Sequence, residues 1–459
     1  MDDHDFMNHG TRRTHGRAEF LFLLSVFSVC SVVSSHAAGT SAAQAWDPGE
    51  PVVTYWSGPG CSGKNHPPLT EKWLELLAAG GFNTVWATTP EEIDLAGKWG
   101  MRAIYALKPD SMRPKFDLDD PEQAAFLADR VAAVKDHPAL YAYQHYDEAP
   151  ATMFPALARV EEFVEGIDPV HPCWHNLLPT YAPNRLLGTE GEPARAYWEH
   201  LLRFCETYRP KFVTYDHYQF SELGDKWDYL FNLGMVRRIA ASEGVPFWNG
   251  LQGCQWVVKN RASPKAPRIP TPEEMRYLVY STAAYGAHGL YWYVFCRINH
   301  TGAMCEPDGT LNPDGKFDEV SKLNRAFVAI SRQLRPLRFR GAFLQGRHAP
   351  GTTPYCAQAL LKLSPETPPS ELDPEKMESL DDTTLVSRFD DPAGRPSHLM
   401  VVNCDYRKDR TLRIDAPAPL ERFDDATGAW SPVGASFDQP FVRGGGVLFR
   451  FAGSTIPQR

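Results

Sequence analysis

After residue 20 the chain has no basic cluster, and its formal net charge is −9. That argues against a nucleic-acid partner and fits a neutral small molecule or polymer. After residue 33 no apolar run is long enough to cross a bilayer. Nine cysteines occur, yet none form a C-x-x-C pair, so no zinc-type spacing is present. No glycine-rich phosphate loop follows the first apolar run of the folded part. Aromatic residues, by contrast, are plentiful: 12% of the chain, with 12 Trp and 18 Tyr. The rest is ordinary globular composition, 43% hydrophobic and 22% charged.

The N-terminus reads as a targeting signal. Arg12, Arg13 and Arg17 precede the apolar run Phe20 to Val33, and small residues follow. This is the layout of a secretory signal peptide over residues 1–37, with cleavage after Ala37 and A-Q-A at 43–45 as a second site. An uncleaved anchor is the alternative, and Met7 is a second candidate start. The expected location is therefore secreted or periplasmic, with no membrane contact beyond the signal. Eight cysteines remain beyond Cys30, and Cys296 with Cys305 is the pair placed to close a loop.

From residue 51 short apolar runs alternate with helical stretches. The runs are V-V-T-Y-W (52–56), F-N-T-V-W-A-T-T (82–89), M-R-A-I-Y-A-L (101–107), Y-Q-H-Y-D-E (143–148), P-C-W-H-N-L-L (172–178), F-V-T-Y-D-H-Y (212–218), V-P-F-W-N-G-L-Q (245–252) and G-L-Y-W-Y-V-F (289–295). Between them apolar residues recur at helical spacing. Thr70 is an expected N-cap, and Thr271, Pro272 and Glu274 form a capping-box start. Eight strand–helix repeats predict a (β/α)8 TIM barrel over residues 46–336. An open doubly wound sheet is the alternative, disfavoured by the count and the missing phosphate loop. Beyond Pro336 helical periodicity ends, and residues 338–459 read as a small all-β sandwich. Its stretch 364–382, rich in Pro, Ser, Glu and Asp, is expected to be a mobile loop.

Active sites of such barrels lie at the C-terminal ends of the strands. Run four ends in Asp147 and Glu148, run five near His175 and Asn176, run six in Asp216, His217 and Tyr218. Run seven ends in Trp248, Asn249 and Gln252, and run eight carries Tyr291 and Trp292, while Tyr55, Trp56 and Trp86 come from runs one and two. Carboxylates, amides and flat rings on one rim suit glycoside hydrolysis, which needs a protonated carboxyl and a second carboxylate. The rings can equally be core. Alternation puts Asp216 toward the mouth and favours Glu148 over Asp147, which is expected to point aside. No metal-ligand triad is evident around His175 or His217, and no cofactor is implied.

The quoted runs, with H-P-A-L-Y-A-Y-Q-H-Y-D-E-A-P and Y-G-A-H-G-L-Y-W-Y-V-F, resemble secreted glycoside-hydrolase-like barrels of the clan that includes the β-galactosidases. The resemblance covers residues 50–335 and a trailing β domain. It implies a carbohydrate substrate and a general acid/base at the end of strand four, which Glu148 matches, although Asp147 replaces the usual asparagine. The clan's nucleophile is a glutamate ending strand seven, where this chain has Gln252. Asp216 can supply the second carboxylate. Alternatively, adjacent Asp147 and Glu148 resemble the pair of substrate-assisted hexosaminidases, whose aspartate orients a 2-acetamido group. A third reading is a carbohydrate-binding barrel without catalysis.

Overall fold

The computed structural model describes residues 46–256, 266–298, 300–374, 376 and 378–454. The segment read as a signal peptide lies outside the described residues. Eight parallel strands form one sheet: β1 (Val52–Trp56), β2 (Thr84–Ala87), β3 (Arg102–Ala106), β4 (Leu140–Asp147), β5 (Cys173–Leu177), β6 (Val213–Asp216), β7 (Phe247–Gln252) and β8 (Gly289–Tyr293). Each pairs with its sequence neighbour from β2 onward, and β8 pairs with β1. The remaining seam, β1 against β2, is bridged by side chains, with Trp86 Nε1 donating to Tyr55 O and Asn83 making the other bonds. Asn83 N donates to Val53 O at 3.1 Å, and its side chain accepts from Val53 N at 2.9 Å and donates to Pro51 O at 2.8 Å. Side chains thus complete the ring where the ladder does not.

The principal helices are α1 (Glu71–Ala79), α2 (Pro90–Lys98), α3 (Pro121–Ala132), α4 (Phe154–Glu165), α5 (Pro193–Tyr208), α6 (Tyr229–Glu243), α7 (Pro272–Ala284) and α8 (Lys316–Leu334). The capping box at α7 forms: Thr271 accepts from Glu274 N, and Glu274 accepts from Thr271 N. Thr70 occupies the N-cap of α1 without a side-chain cap bond. Among the described residues no helix is long and apolar enough to cross a membrane.

Inside the barrel Trp56, Trp86 and Trp174 pack on one another with centroids 4.7–5.1 Å apart. Trp248 packs lower, against Phe212, Tyr141 and the bare Cα of Gly289, where a Cβ would meet its ring at 2.7 Å. These layers make the interior a packed core and leave only the mouth open.

Beyond α8 a second sheet combines Arg338–Gln345, Thr384–Asp390, Pro396–Asn403, Arg410–Phe423, Trp430–Phe441 and Gly446–Phe451 with short edge strands. Alternation gives it two apolar faces. Leu385, Phe389, Met400 and Val402 join the barrel's core, while Val386, Leu399, Val401 and Phe449 form a separate cluster. Tyr280 on α7 donates to Asp425 across the junction at 2.6 Å. The stretch read as a mobile loop has contacts with the rest of this sheet. Ser370–Glu371 pairs with Arg347–His348, and Leu372 and Leu380 are buried, so two leucines anchor a stretch whose composition is otherwise polar. The cysteines are unbridged among the described residues, with Cys296 and Cys305 Sγ 3.5 Å apart.

Candidate active site

The site is built on a defect in β4. The β4–β5 register slips between Gln144 and Tyr146, a β-bulge at His145. The extra residue reverses the alternation beyond it. His145 and Tyr146 both pack outward, against Tyr208 and His175, and Asp147 turns inward beside Asn176. The expectation that Asp147 points aside is therefore corrected: a strict alternation cannot see a bulge. Glu148 follows with φ of +53°, a left-handed conformation that costs a non-glycine residue free energy and clusters at functional sites. Its N donates to Asn176 O at 2.9 Å, which fixes the turn.

Three carboxylates converge. Asn176 Nδ2 donates to Asp147 Oδ1 at 3.2 Å and to Asp216 Oδ2 at 3.4 Å. Tyr218 donates to the same Asp216 oxygen at 2.7 Å, and Tyr291 orients the amide by donating to Asn176 Oδ1 at 2.7 Å. Arg113, from the loop after β3, donates through Nε to Asp147 O at 2.9 Å. Its Nη2 donates to Glu148 Oε2 at 2.7 Å and lies 3.4 Å from Asp147 Oδ2. Gly250 is required here, because a Cβ would stand 2.4 Å from the Tyr291 hydroxyl and 2.8 Å from Asp216 Cβ.

The electrostatics follow from this crowding. Desolvation, then the charges of Asp147 and Asp216, push Glu148 up to about 8 against the pull of Arg113. Desolvation raises Asp216 to about 7, opposed by the Tyr218 bond and reinforced by Asp147. Asp147 is raised by desolvation too, with Arg113 opposing. Near neutral pH such a site holds at least one shared proton. Glu148 keeps 30% of its side-chain surface open to the mouth. A cleft of about 210 Å³ is lined by Trp56, Ser57, His66, Met112, Tyr293 and His300, among others.

Of the residues read from sequence, Glu148, Asp147, Asp216, Asn176, Tyr218 and Tyr291 meet in one place, with Trp56 on the cleft wall. Trp86 supports Trp56 from below and is buried. The others go elsewhere, because the reading took whole strand ends without sorting them by face. Tyr55 faces the helices and donates to Pro59 O at 2.7 Å. His175 packs among Phe154, Phe204 and Tyr208. His217 bonds Asp228 at 2.9 Å behind the sheet. Trp248 fills the lower barrel. Asn249 donates to Thr282 on α7, and Trp292 to Asn324 on α8. Gln252 faces inward but is fully occupied: it accepts from Phe220 N and donates to Phe220 O and Arg268 O. Sequence reasoning missed Arg113 and Trp174. The signal for Arg113 was a cation in a loop that leaves a barrel strand at its C-terminal end.

No family model matches the sequence. No curated protein matches it. Among solved structures the chain is similar to a β-galactosidase from Bacillus circulans sp. alkalophilus, with TM-score 0.54 and 10% identity over 88% of this chain and 99% of that one. A glycoside hydrolase family 5 protein from Bacteroides vulgatus gives TM-score 0.50 and 13% identity over 90% and 96%. Against the β-galactosidase of Halorubrum lacusprofundi the TM-score is 0.40 at 14% identity, covering 60% of this chain and only 58% of that one. The shared feature is the fold: a glycoside-hydrolase-like (β/α)8 barrel followed by a β domain.

Proposed function

We propose that the chain is an exported glycoside hydrolase with a carbohydrate substrate. The observation that carries the proposal is the convergence of Asp147, Glu148 and Asp216 at the barrel mouth. In this reading Glu148 is the general acid/base. It passes its proton to the glycosidic oxygen as the bond from that oxygen to the anomeric carbon breaks. Asp216, ionised, faces the positive charge that develops on the sugar, and water completes the hydrolysis. Asp147 positions Glu148 through their common partner Arg113. The barrel's likeness to glycoside hydrolases supports the reaction class, and the exposure of Glu148 at the mouth supports access for a ligand.

The commitment of Gln252 to backbone groups favours one second reading. Without a strand-seven carboxylate, the sugar's own 2-acetamido group, oriented by Asp147, can serve as nucleophile. Kinetics on a panel of aryl glycosides separate the two. Two-carboxylate catalysis predicts loss of turnover in both Glu148→Gln and Asp216→Asn. Activity confined to 2-acetamido sugars and surviving Asp216→Asn supports substrate assistance. Glycan binding without turnover contradicts both.

A further inference from the structure

Behind the sheet, on the face opposite the carboxylates, His145 of β4, Glu161 of α4 and Cys173 of β5 bring one ligand atom each to within 4.8 Å of one another. His145 and Cys173 are buried, at 0% and 5% exposure. His145 Nε2 and Glu161 Oε2 are both buried without a hydrogen-bond partner, which is unusual for buried polar atoms. The other imidazole nitrogen, Nδ1, lies 3.2 Å from the Tyr208 hydroxyl. That is the arrangement in which an outer oxygen fixes a histidine tautomer and leaves the second nitrogen free for a metal.

We propose that His145, Glu161 and Cys173 form a three-ligand zinc site that ties α4 to β4 and β5. Thiolate, imidazole and carboxylate are the ligand set of this ion. Charge also balances. Zn²⁺ bound by the Cys173 thiolate, the Glu161 carboxylate and a neutral His145 gives a buried cluster without net charge. Bond lengths of 2.0–2.3 Å to zinc set ligand separations of roughly 3.5 Å, so the side chains close in by about an ångström on binding. Since His145 is the bulged residue, the ion pins the bulge that turns Asp147 into the mouth.

The test uses the full chain, stripped of metal and titrated with Zn²⁺ against a chromogenic chelator, then with Co²⁺. The expected result is one tight equivalent and a cobalt–thiolate charge-transfer band. Cys173→Ser abolishes the band, and His145→Gln weakens zinc by at least about 10-fold. Wild type that takes up no zinc in competition, or shows no thiolate band with cobalt, overturns the proposal. The wild-type spectrum decides even if the variants fail to fold.

Discussion

Asp147 and Asp216 hang from one amide: Asn176 Nδ2 donates to both, at 3.2 and 3.4 Å. The two carboxylates come from β4 and β6, so the residue between them on β5 sets their spacing. Tyr291 in turn holds that amide from β8. The site is therefore one network across four strands, and changes in it report on each other.

Replacing Asn176 with Ala removes a bond that favours the ionised form of Asp216. The Asp216 pKa then rises further, and the acid limb of the pH–rate profile moves to higher pH. We expect kcat to fall by roughly 100-fold, since the carboxylates also lose their spacing. Steady-state kinetics from pH 5 to 9 check both effects.

The wild-type profile is a narrow bell. Activity falls above about 8, where Glu148 loses the proton it must donate, and below about 7, where Asp216 gains one. Because the two groups interact, the limbs belong to the pair. A flat profile between pH 5 and 9 contradicts the assignment.

Stability carries the same signature. The Glu148 pKa is raised on folding from 4.5 to about 8, so the folded state binds more protons between these values. Its contribution is fully present below pH 4.5 and is lost as pH rises through about 8. Glu148→Gln keeps a neutral side chain at every pH. It is expected to flatten this decline and to melt higher than wild type at pH 8. Thermal melts across that range read the difference directly.

Arg113→Met takes away the cation that opposes the rise of Glu148 and leaves Asp147 O without its donor. The basic limb moves to higher pH, and kcat/KM falls by about 100-fold as Glu148 loses its orientation. Unchanged kinetics mean that Arg113 is a surface ion pair only.

Gln252→Glu puts a carboxylate at the end of β7, where the resemblance implies a nucleophile. A carboxylate cannot donate to Phe220 O and Arg268 O, so Arg268 O loses its side-chain donor and Phe220 O keeps only the bond from Arg268 N. The expected outcome is destabilisation of roughly 2–4 kcal/mol with no gain in turnover. A faster enzyme shows that position 252 reaches the substrate.

The barrel was legible because its signals are local. Each run of apolar residues, each helical face and the Thr271 capping box lie within a dozen residues of one another. Asp216 was placed from two neighbours, Val213 and Tyr215, whose apolar side chains take the helix side. Asp147 could not be placed in this way. The bulge at His145 exists only in the register of β4 against β5, and nothing in Y-Q-H-Y-D-E marks it. Gln252 and His217 were misjudged for the same reason. Their partners, Phe220 and Asp228, come from the segment after β6 and appear only when the chain folds back. Arg113 sits in a loop without periodicity, so only its chemistry could have singled it out.

The most direct test of the central claim varies the leaving group. Initial rates of wild type and Glu148→Gln are compared on a dinitrophenyl glycoside and on the same sugar with an alkyl leaving group. A general acid is needed only by the poor leaving group. Glu148→Gln is expected to lose about 10²–10⁴-fold on the alkyl glycoside and far less in bond cleavage with the dinitrophenyl one. Equal losses on both substrates, or wild-type rates in the variant, contradict the claim.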